Sequence, residues 1–334
     1  MKPTVDLLLP GLFDRLSDWD LSYAEKPEAP FLSTLIRGAA RTCIPAAGFE
    51  RGLWNLLYPN ASTCQELPVG RLLSGLQGQV VCRADPVYLR QGISDLVLVE
   101  GSQLSLEPDE CRLLETLIDE YVQPVGGRFS WHQGAGYLAL SDAPPLISTP
   151  LSEAAGEGVN HRLPAGAGQR WWSRFLNELQ MLLFNSEINA LRESRRKLPI
   201  NSLWLWGGGE LPASSMSPHY DGAVTHDNTF AMAMVEASGI PGVADFQTGL
   251  AQGCQRLLDI YPGLLDAARY DDYAAWRMHL AHFDQQYLPT LNAALQRGEI
   301  GRLSVISGGW RFDIRRFGRY RFWRRPRSLA AFCQ

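Results

Sequence analysis

The chain has 334 residues, enough for one large α/β domain or for a core carrying an inserted cap. With 46% apolar and 20% charged residues, it has the balance of a folded globular protein rather than a disordered one. A net charge of -4 argues against a protein that binds nucleic acid over its whole surface.

Val5 to Leu9 is a short apolar run stopped by Pro10-Gly11, which predicts a buried first strand ending in a turn. Pro30 to Gly38 has proline at its start and glycine at its end, the asymmetry of a short helix. Gln79 to Ala84 and Leu96 to Val99 read as strands. Glu107 to Val122 is a helix with Pro108 in its first turn and Cys111, Leu114, Leu117, Ile118 and Tyr121 on one stripe. Arg128 to Trp131 and Gly136 to Leu140 predict a hairpin. Gln169 to Phe184 is a second long helix, with Trp172, Phe175, Leu176, Leu179, Leu182 and Leu183 at apolar spacing. Leu203 to Trp206 is a strand running into Gly207, Gly208 and Gly209. Asp272 to Arg297 is a long helix with a possible bend at Pro289. Leu303 to Ile306 is a last core strand, followed by Gly308-Gly309.

Strands alternating with helices predict an α/β protein: a mainly parallel sheet with helices on both faces. Hairpin signals concentrate in the middle. The expected organisation is therefore a core made of residues 1–85 and 166–309, a smaller cap inserted at 86–165, and an arginine-rich aromatic hairpin at 310–334.

The six cysteines show no C-x-x-C pair and no zinc spacing, so free thiols in a reducing cytosol are expected. Met1 to Phe13 lacks a signal-peptide pattern. No stretch reaches the roughly 18 apolar residues of a membrane span. A cytoplasmic protein is the expectation.

Several motifs stand at predicted strand ends, where doubly wound sheets place ligands. Asn189-Ala-Leu-Arg192, then Leu198-Pro-Ile-Asn201-Ser-Leu-Trp-Leu-Trp206 and three glycines, resemble a stretch of archaeal-type cofactor-independent phosphoglycerate mutases of the alkaline phosphatase superfamily. Val81-Cys-Arg83-Ala-Asp85 resembles their Arg-x-Asn strand end. Pro30 to Gly38, and Trp276 to Leu291 with Asp284, resemble two of their helices. The order is kept over roughly residues 4–310. The Trp-rich tri-glycine segment and the Arg-Phe-Trp-Arg-Arg-Pro-Arg ending also resemble a bacterial family labelled phosphoglycerate mutase or RpfE-type regulatory protein.

The resemblance implies two divalent metals, held by about six Asp and His residues beside a Ser or Thr nucleophile. Such metals acidify the hydroxyl and stabilise the transferring phosphoryl group. Here the expected ligand positions carry Pro10-Gly11, Leu265, Arg269 and Gly308-Gly309. The nucleophile position falls near Glu50. Asp14 matches the second acid of the first turn, and no histidine follows His282. Asp14 and Glu50 are thus candidates for a vestigial site. No cofactor or metal is expected; manganese or zinc belongs only to the alternative of a working mutase or phosphatase.

The resemblance also implies that Arg83, Arg192 and Asn201 contact a phosphate or carboxylate, a role suited to arginine's planar fork. Asp85, Trp206, Gly207 and Gly208 complete the candidate anion site. The bland alternative is structural ion pairing, Arg83 with Asp85 or Arg192 with Glu193. The glycines either let backbone approach an anion or simply permit a turn. His219-Tyr-Asp221 and His226-Asp227 read either as a metal or catalytic cluster or as a polar loop before a helix capped by Asp227 or Asn228. His279 and His282 share a helix face.

Between Arg311 and Arg327 stand eight arginines and one acid, Asp313. Alternation predicts a hairpin of Trp310 to Ile314 and Tyr320 to Trp323, turning at Gly318. Arg311, Arg315, Arg316, Arg319, Arg321, Arg324 and Arg325 are then a candidate surface for an acidic protein, an anionic membrane or RNA. They equally suit a charged edge that blocks aggregation. The reading that follows is a pseudoenzyme used for binding or regulation. Its rivals are an active mutase or phosphatase and a nucleic-acid-associated factor.

Overall fold

The computed structural model describes residues 2–61, 64–92, 95–155, 158–212, 219–316 and 329–332. Strands β1 (Thr4–Leu8) and β2 (Ala40–Cys43) come first. β3 (Val80–Gln91), β4 (Leu96–Val99), β5 (Gly127–His132), β6 (Ala135–Leu140) and β7 (Ser202–Trp206) follow. β8 (Gly222–Val224), β9 (Arg256–Ile260), β10 (Arg302–Ser307) and β11 (Trp310–Ile314) complete the set. The chain divides into a core unit, Met1–Pro59 with Ser217–Gln334, and an inserted unit, Asn60–Met216. The insertion is wider than the expected 86–165. The reason is pairing: β3 and β7, expected in the core, pair with each other and with insertion strands.

The core unit holds one six-stranded sheet, ordered β2-β11-β10-β1-β9-β8. Parallel pairing is confined to β10, β1, β9 and β8. β11 and β2 run antiparallel on the β10 edge. In the inserted unit every strand pair is antiparallel. The expectation of a mainly parallel sheet is therefore corrected to a mixed fold. Short connections, which only antiparallel strands can make, account for the β3–β4, β5–β6 and β10–β11 pairs. Gln133-Gly134 joins β5 to β6 and Gly308-Gly309 joins β10 to β11, both with successive positive φ values, the conformation two-residue hairpin turns require.

β1 is the centre of its sheet. Val5 and Leu7 are fully buried, and Asp6 is the polar exception at 4% exposure. Its carboxylate accepts from the Tyr220 hydroxyl at 2.9 Å and from Arg311 at 2.8 Å, which offsets its loss of water. The helix Pro30–Gly38 starts at proline, and the Asp284 carboxylate accepts from Phe31 N and Leu32 N, its otherwise orphaned first donors. The long C-terminal helix runs as Tyr273–His282, a π-helical turn Phe283–Tyr287, and Leu288–Arg297. The π turn comes just before Pro289, whose missing N–H interrupts the ladder.

In the inserted unit, β3 is long enough to pair with three strands in succession: β6 over Val80–Arg83, β7 over Arg83–Val87, β4 over Tyr88–Gln91. Pro108–Val122 opens with a capping box between Glu107 and Glu110. Its Leu114, Ile118 and Val122 pack with Trp172, Phe175 and Leu179 of helix Gln169–Phe184. Cys43, Cys64, Cys82, Cys111 and Cys254 form no disulfide among the described residues. Among the described residues no helix is long and apolar enough to cross a membrane.

Candidate functional site

β3 brings Arg83 to the one position that pairs with both neighbours, Tyr137 of β6 and Trp206 of β7. Arg83 Nε lies 2.9 and 3.0 Å from the two oxygens of Asp85, two residues along the same face. Trp206 Nε1 donates to Asp85 Oδ2 at 2.6 Å. The Arg83 guanidinium carbon stands 5.6 Å from the Trp206 ring centre, within cation–π range. Arg83 and Asp85 keep only 16% and 11% of their side-chain surface. The pair therefore presents a largely compensated charge rather than a bare anion clamp.

The tri-glycine turn makes an anion nest, and the anion is the chain's own. Glu66 Oε1 accepts from Gly207 N at 3.0 Å and from the Ser148 hydroxyl at 2.5 Å. Its other oxygen accepts from Ser148 N at 2.9 Å, and Gly208 N adds a further bond. Gly207 has φ +72°, and a Cβ there would lie 2.8 Å from Val69 Cβ, so this turn requires glycine. Glu66 carries no motif and was not picked out from the sequence.

Burial pushes the Glu66 carboxyl above its usual range, and the Ser148 and glycine hydrogen bonds only partly oppose this. The folded state therefore holds this proton more tightly than the unfolded chain. The stability Glu66 contributes is complete below the ordinary glutamate pKa, about 4.3, and is lost as pH rises through the raised native value. Urea midpoints of the inserted unit, measured from acid to neutral pH, should fall less steeply in Glu66→Gln than in the parent.

Arg192 and Asn201, expected as anion contacts, lie elsewhere. The Arg192 side chain is fully buried. Its three donor nitrogens bond to Leu198 O at 2.6 Å, Glu110 Oε2 at 2.8 Å and Leu104 O at 2.7 Å. Its partner is Glu110, not Glu193. The Asn201 amide accepts from Leu89 N at 2.7 Å and donates to Leu89 O at 3.0 Å, so it extends the β3–β7 ladder with a side chain. Both positions serve the fold of the inserted unit.

In the core unit, Glu50, Asp14 and Asp266 lie around a cation, Arg269. The turn after β1 needs Gly11, with φ +81° and a Cβ position 2.6 Å from Leu264 O. That packing sets Asp14 beside the helix Leu265–Arg269. Arg269 Nη2 lies 3.6 Å from Glu50 Oε1, and Nη1 lies 3.5 Å from Asp266 Oδ1. Asp14 keeps solvent access, yet the surrounding protein raises its carboxyl pKa, with the Arg269 charge and Gly11 N pulling the other way. Arg269 thus lies close to both Glu50 and Asp14. These residues do not fit a pair of divalent cations: a guanidinium, permanently charged, stands among the carboxylates. Among the described residues no group of three His, Cys, Asp or Glu converges on a metal position.

Arg311 faces inward, bonding Asp6, Asp313 and Ser304. Arg315 and Arg316 are exposed. Arg319, Arg321, Arg324 and Arg325 lie outside the described residues, as does the second arm of the expected hairpin. Trp310–Ile314 instead forms its hairpin with β10.

Parts of this mixed α/β chain are similar, at low identity, to cofactor-independent phosphoglycerate mutases. No protein-family model matches the chain. It is 30% identical over 99 residues to the probable 2,3-bisphosphoglycerate-independent phosphoglycerate mutase of Geobacter sulfurreducens, covering 28% of this chain and 25% of that protein. It is 27% identical over 112 residues to the corresponding mutase of Methanosarcina mazei, covering 32% of this chain and 28% of that protein. The matched stretches thus span between a quarter and a third of these relatives' own length. Among solved structures, the PH0037 protein from Pyrococcus horikoshii has a like fold, with TM-score 0.50 and 11% identity over 94% of this chain and 87% of that one. The cofactor-independent phosphoglycerate mutase from Thermoplasma acidophilum aligns at TM-score 0.42 and 17% identity, over 94% of this chain and 89% of that chain.

Proposed function

We propose that this chain is a catalytically degenerate phosphoglycerate-mutase-like protein, used for binding or regulation in the manner the RpfE-type resemblance implies. The observation that carries the reading is Arg269, whose guanidinium lies 3.6 Å from Glu50 and 3.5 Å from Asp266. A fixed cation neutralises the acids that a metal would need and repels any divalent ion entering beside it. It has no open coordination position to activate a hydroxyl, and Glu50 has no hydroxyl to activate. A small phosphorylated or carboxylate ligand remains the proposed cargo. The C-terminal arginines, led by the exposed Arg315 and Arg316, are the proposed surface for an acidic partner.

The test combines metal analysis of the purified protein with an assay of 3-phosphoglycerate to 2-phosphoglycerate conversion. The expected result is less than one equivalent of manganese or zinc per chain and no turnover above the blank after metal addition. Stoichiometric tight metal together with turnover abolished by chelation would replace this reading with that of a working mutase or phosphatase.

A further inference from the structure

The histidine cluster before helix Thr229–Ala237 has no part in the function proposed above, and its geometry is that of a built site. β9 carries Asp259 at 0% exposure in an otherwise apolar stretch, Leu257, Leu258 and Ile260. Two groups hold its carboxylate. His226 Nε2 lies 2.9 Å from Oδ1, and the Tyr287 hydroxyl donates to Oδ2 at 2.5 Å. His226 follows the end of β8, and its ring meets Tyr261 and Tyr287 edge-on, with centroids 5.1 Å from each.

The backbone bears strain in this arrangement. His226 and Asp227 have φ +46° and +59° in succession. Non-glycine residues enter this region only at an energetic cost, and such residues cluster at ligand sites. Tyr287 reaches Asp259 from the end of the π-helical turn Phe283–Tyr287 that precedes Pro289.

The cluster opens on a cleft of about 430 Å³ lined by His226, Tyr261, His282, Gln286 and Tyr287, with Pro262-Gly263 at its floor. The His226 side chain keeps 25% of its surface exposed while Asp259 keeps none. With Nε2 engaged by Asp259, Nδ1 is the ring nitrogen left to a ligand; it has no hydrogen-bond partner among the described residues. The lining includes no carboxylate. His226, His282, the Tyr261 hydroxyl and the Gln286 amide are all able to donate.

We propose that this cleft binds a small oxyanion, a carboxylate or a phosphate-like group, with His226 taking up a proton and donating it from Nδ1. The buried Asp259 carboxylate backs the ring from behind; the acids nearby are the exposed chain neighbour Asp227 and Asp245, whose charge reaches Tyr287. The titratable groups facing His226 are Asp259 and Tyr261 from the β9 end, and His282 and Tyr287 from the long helix; Asp227 is its chain neighbour. Burial and the Asp259 charge raise the Tyr261 and Tyr287 hydroxyls, so both stay protonated donors at neutral pH. This site is separate from Arg269 and its carboxylates, and the proposal stands whether or not the chain is a pseudoenzyme.

Sulfate and acetate are suitable probes, because both are fully ionised between about pH 6 and pH 8, so any pH dependence belongs to the protein. Each would be titrated into the full chain while the histidine ring signals are followed by NMR. Saturable binding should tighten by about tenfold from pH 8 to pH 6, the direction set by an imidazolium holding the anion. Preference for sulfate assigns a phosphate-like ligand, and preference for acetate a carboxylate. His226→Gln should abolish the pH dependence and weaken binding by about tenfold. Tyr261→Phe, which removes one hydroxyl, should weaken it by about threefold and keep the pH dependence. Binding unchanged in either folded variant, or no saturation by either anion at pH 6, would overturn the assignment.

Discussion

Arg192→Met should destabilise the inserted unit by about 3–5 kcal/mol, the loss typical of removing one partner from a buried ion pair. Arg192 and Glu110 are both fully buried, 2.8 Å apart. Methionine fills a similar volume but leaves three acceptors behind: Glu110 Oε2, Leu104 O and Leu198 O. Arg195 and Lys197 lie 3.6 and 3.5 Å from Glu110, so they soften the loss without replacing the bonds. The loss arises from stranding a charge, so a second change should return part of it. Arg192→Met combined with Glu110→Gln keeps an amide oxygen to cap Glu107 N and removes the buried charge. Urea denaturation followed by far-UV circular dichroism is the measurement. If the single variant unfolds at the parent midpoint, the guanidinium is not the centre of this unit's polar core.

The second large effect is expected at Trp276. Its ring is fully buried, 4.9 Å from Trp19 and 6.4 Å from Tyr273 between centroids. Its Nε1 donates to Gly11 O at 2.8 Å. Trp276→Ala should cost about 3–5 kcal/mol, as deletions of large buried aromatics do. Trp276→Phe keeps most of the packing and removes the bond, so its loss should be about 1–3 kcal/mol, the penalty of a buried carbonyl left unpaired. The bond reaches the turn that precedes Asp14. The phenylalanine variant should therefore alter near-UV circular dichroism of the core unit before it alters secondary structure. No loss in the phenylalanine variant would show that packing alone fixes this turn, and equal losses for the two variants would show that the hydrogen bond alone does.

Much of the local structure was legible from residue order. The hairpin at Arg128 to Leu140 follows from alternation on either side of a glycine-bearing turn, and the helix at Glu107 follows from Pro108 with its acidic start. Strand direction was not legible. Leu203 to Trp206 and Val80 to Ala84 are short apolar runs, and such runs look alike in parallel and antiparallel sheets. The inserted unit was consequently drawn too small. Gly308-Gly309 was read as the place of lost metal ligands; in the fold it is also the tight turn that joins β10 to β11.

The candidate site divides in the same way. The resemblance to the mutases marks the positions of Asp14, Glu50 and Arg269, but only the fold brings the guanidinium to the acids. Glu66 gave no signal, because its glycine donors lie 141 residues further along. The resemblance implies anion contacts for Arg192 and Asn201; their hydrogen bonds to neighbouring backbone and to Glu110 make both internal connectors instead. His226 and Asp259 are 33 residues apart, and no spacing rule joins a loop histidine to a strand carboxylate.

The position of β1 has a consequence for how the protein is made. Among the described residues its neighbours are β9 and β10, with Thr4 beside Arg256 on one side and Arg302 on the other. A ribosome therefore releases this greasy strand well before either flank of it has been translated, and the whole inserted unit is synthesised in the interval. Such long waits slow assembly and expose sticky backbone to other nascent chains. Production in cells depleted of a chaperone that shields early apolar segments should lower the soluble yield more than the modest size of this chain would lead one to expect.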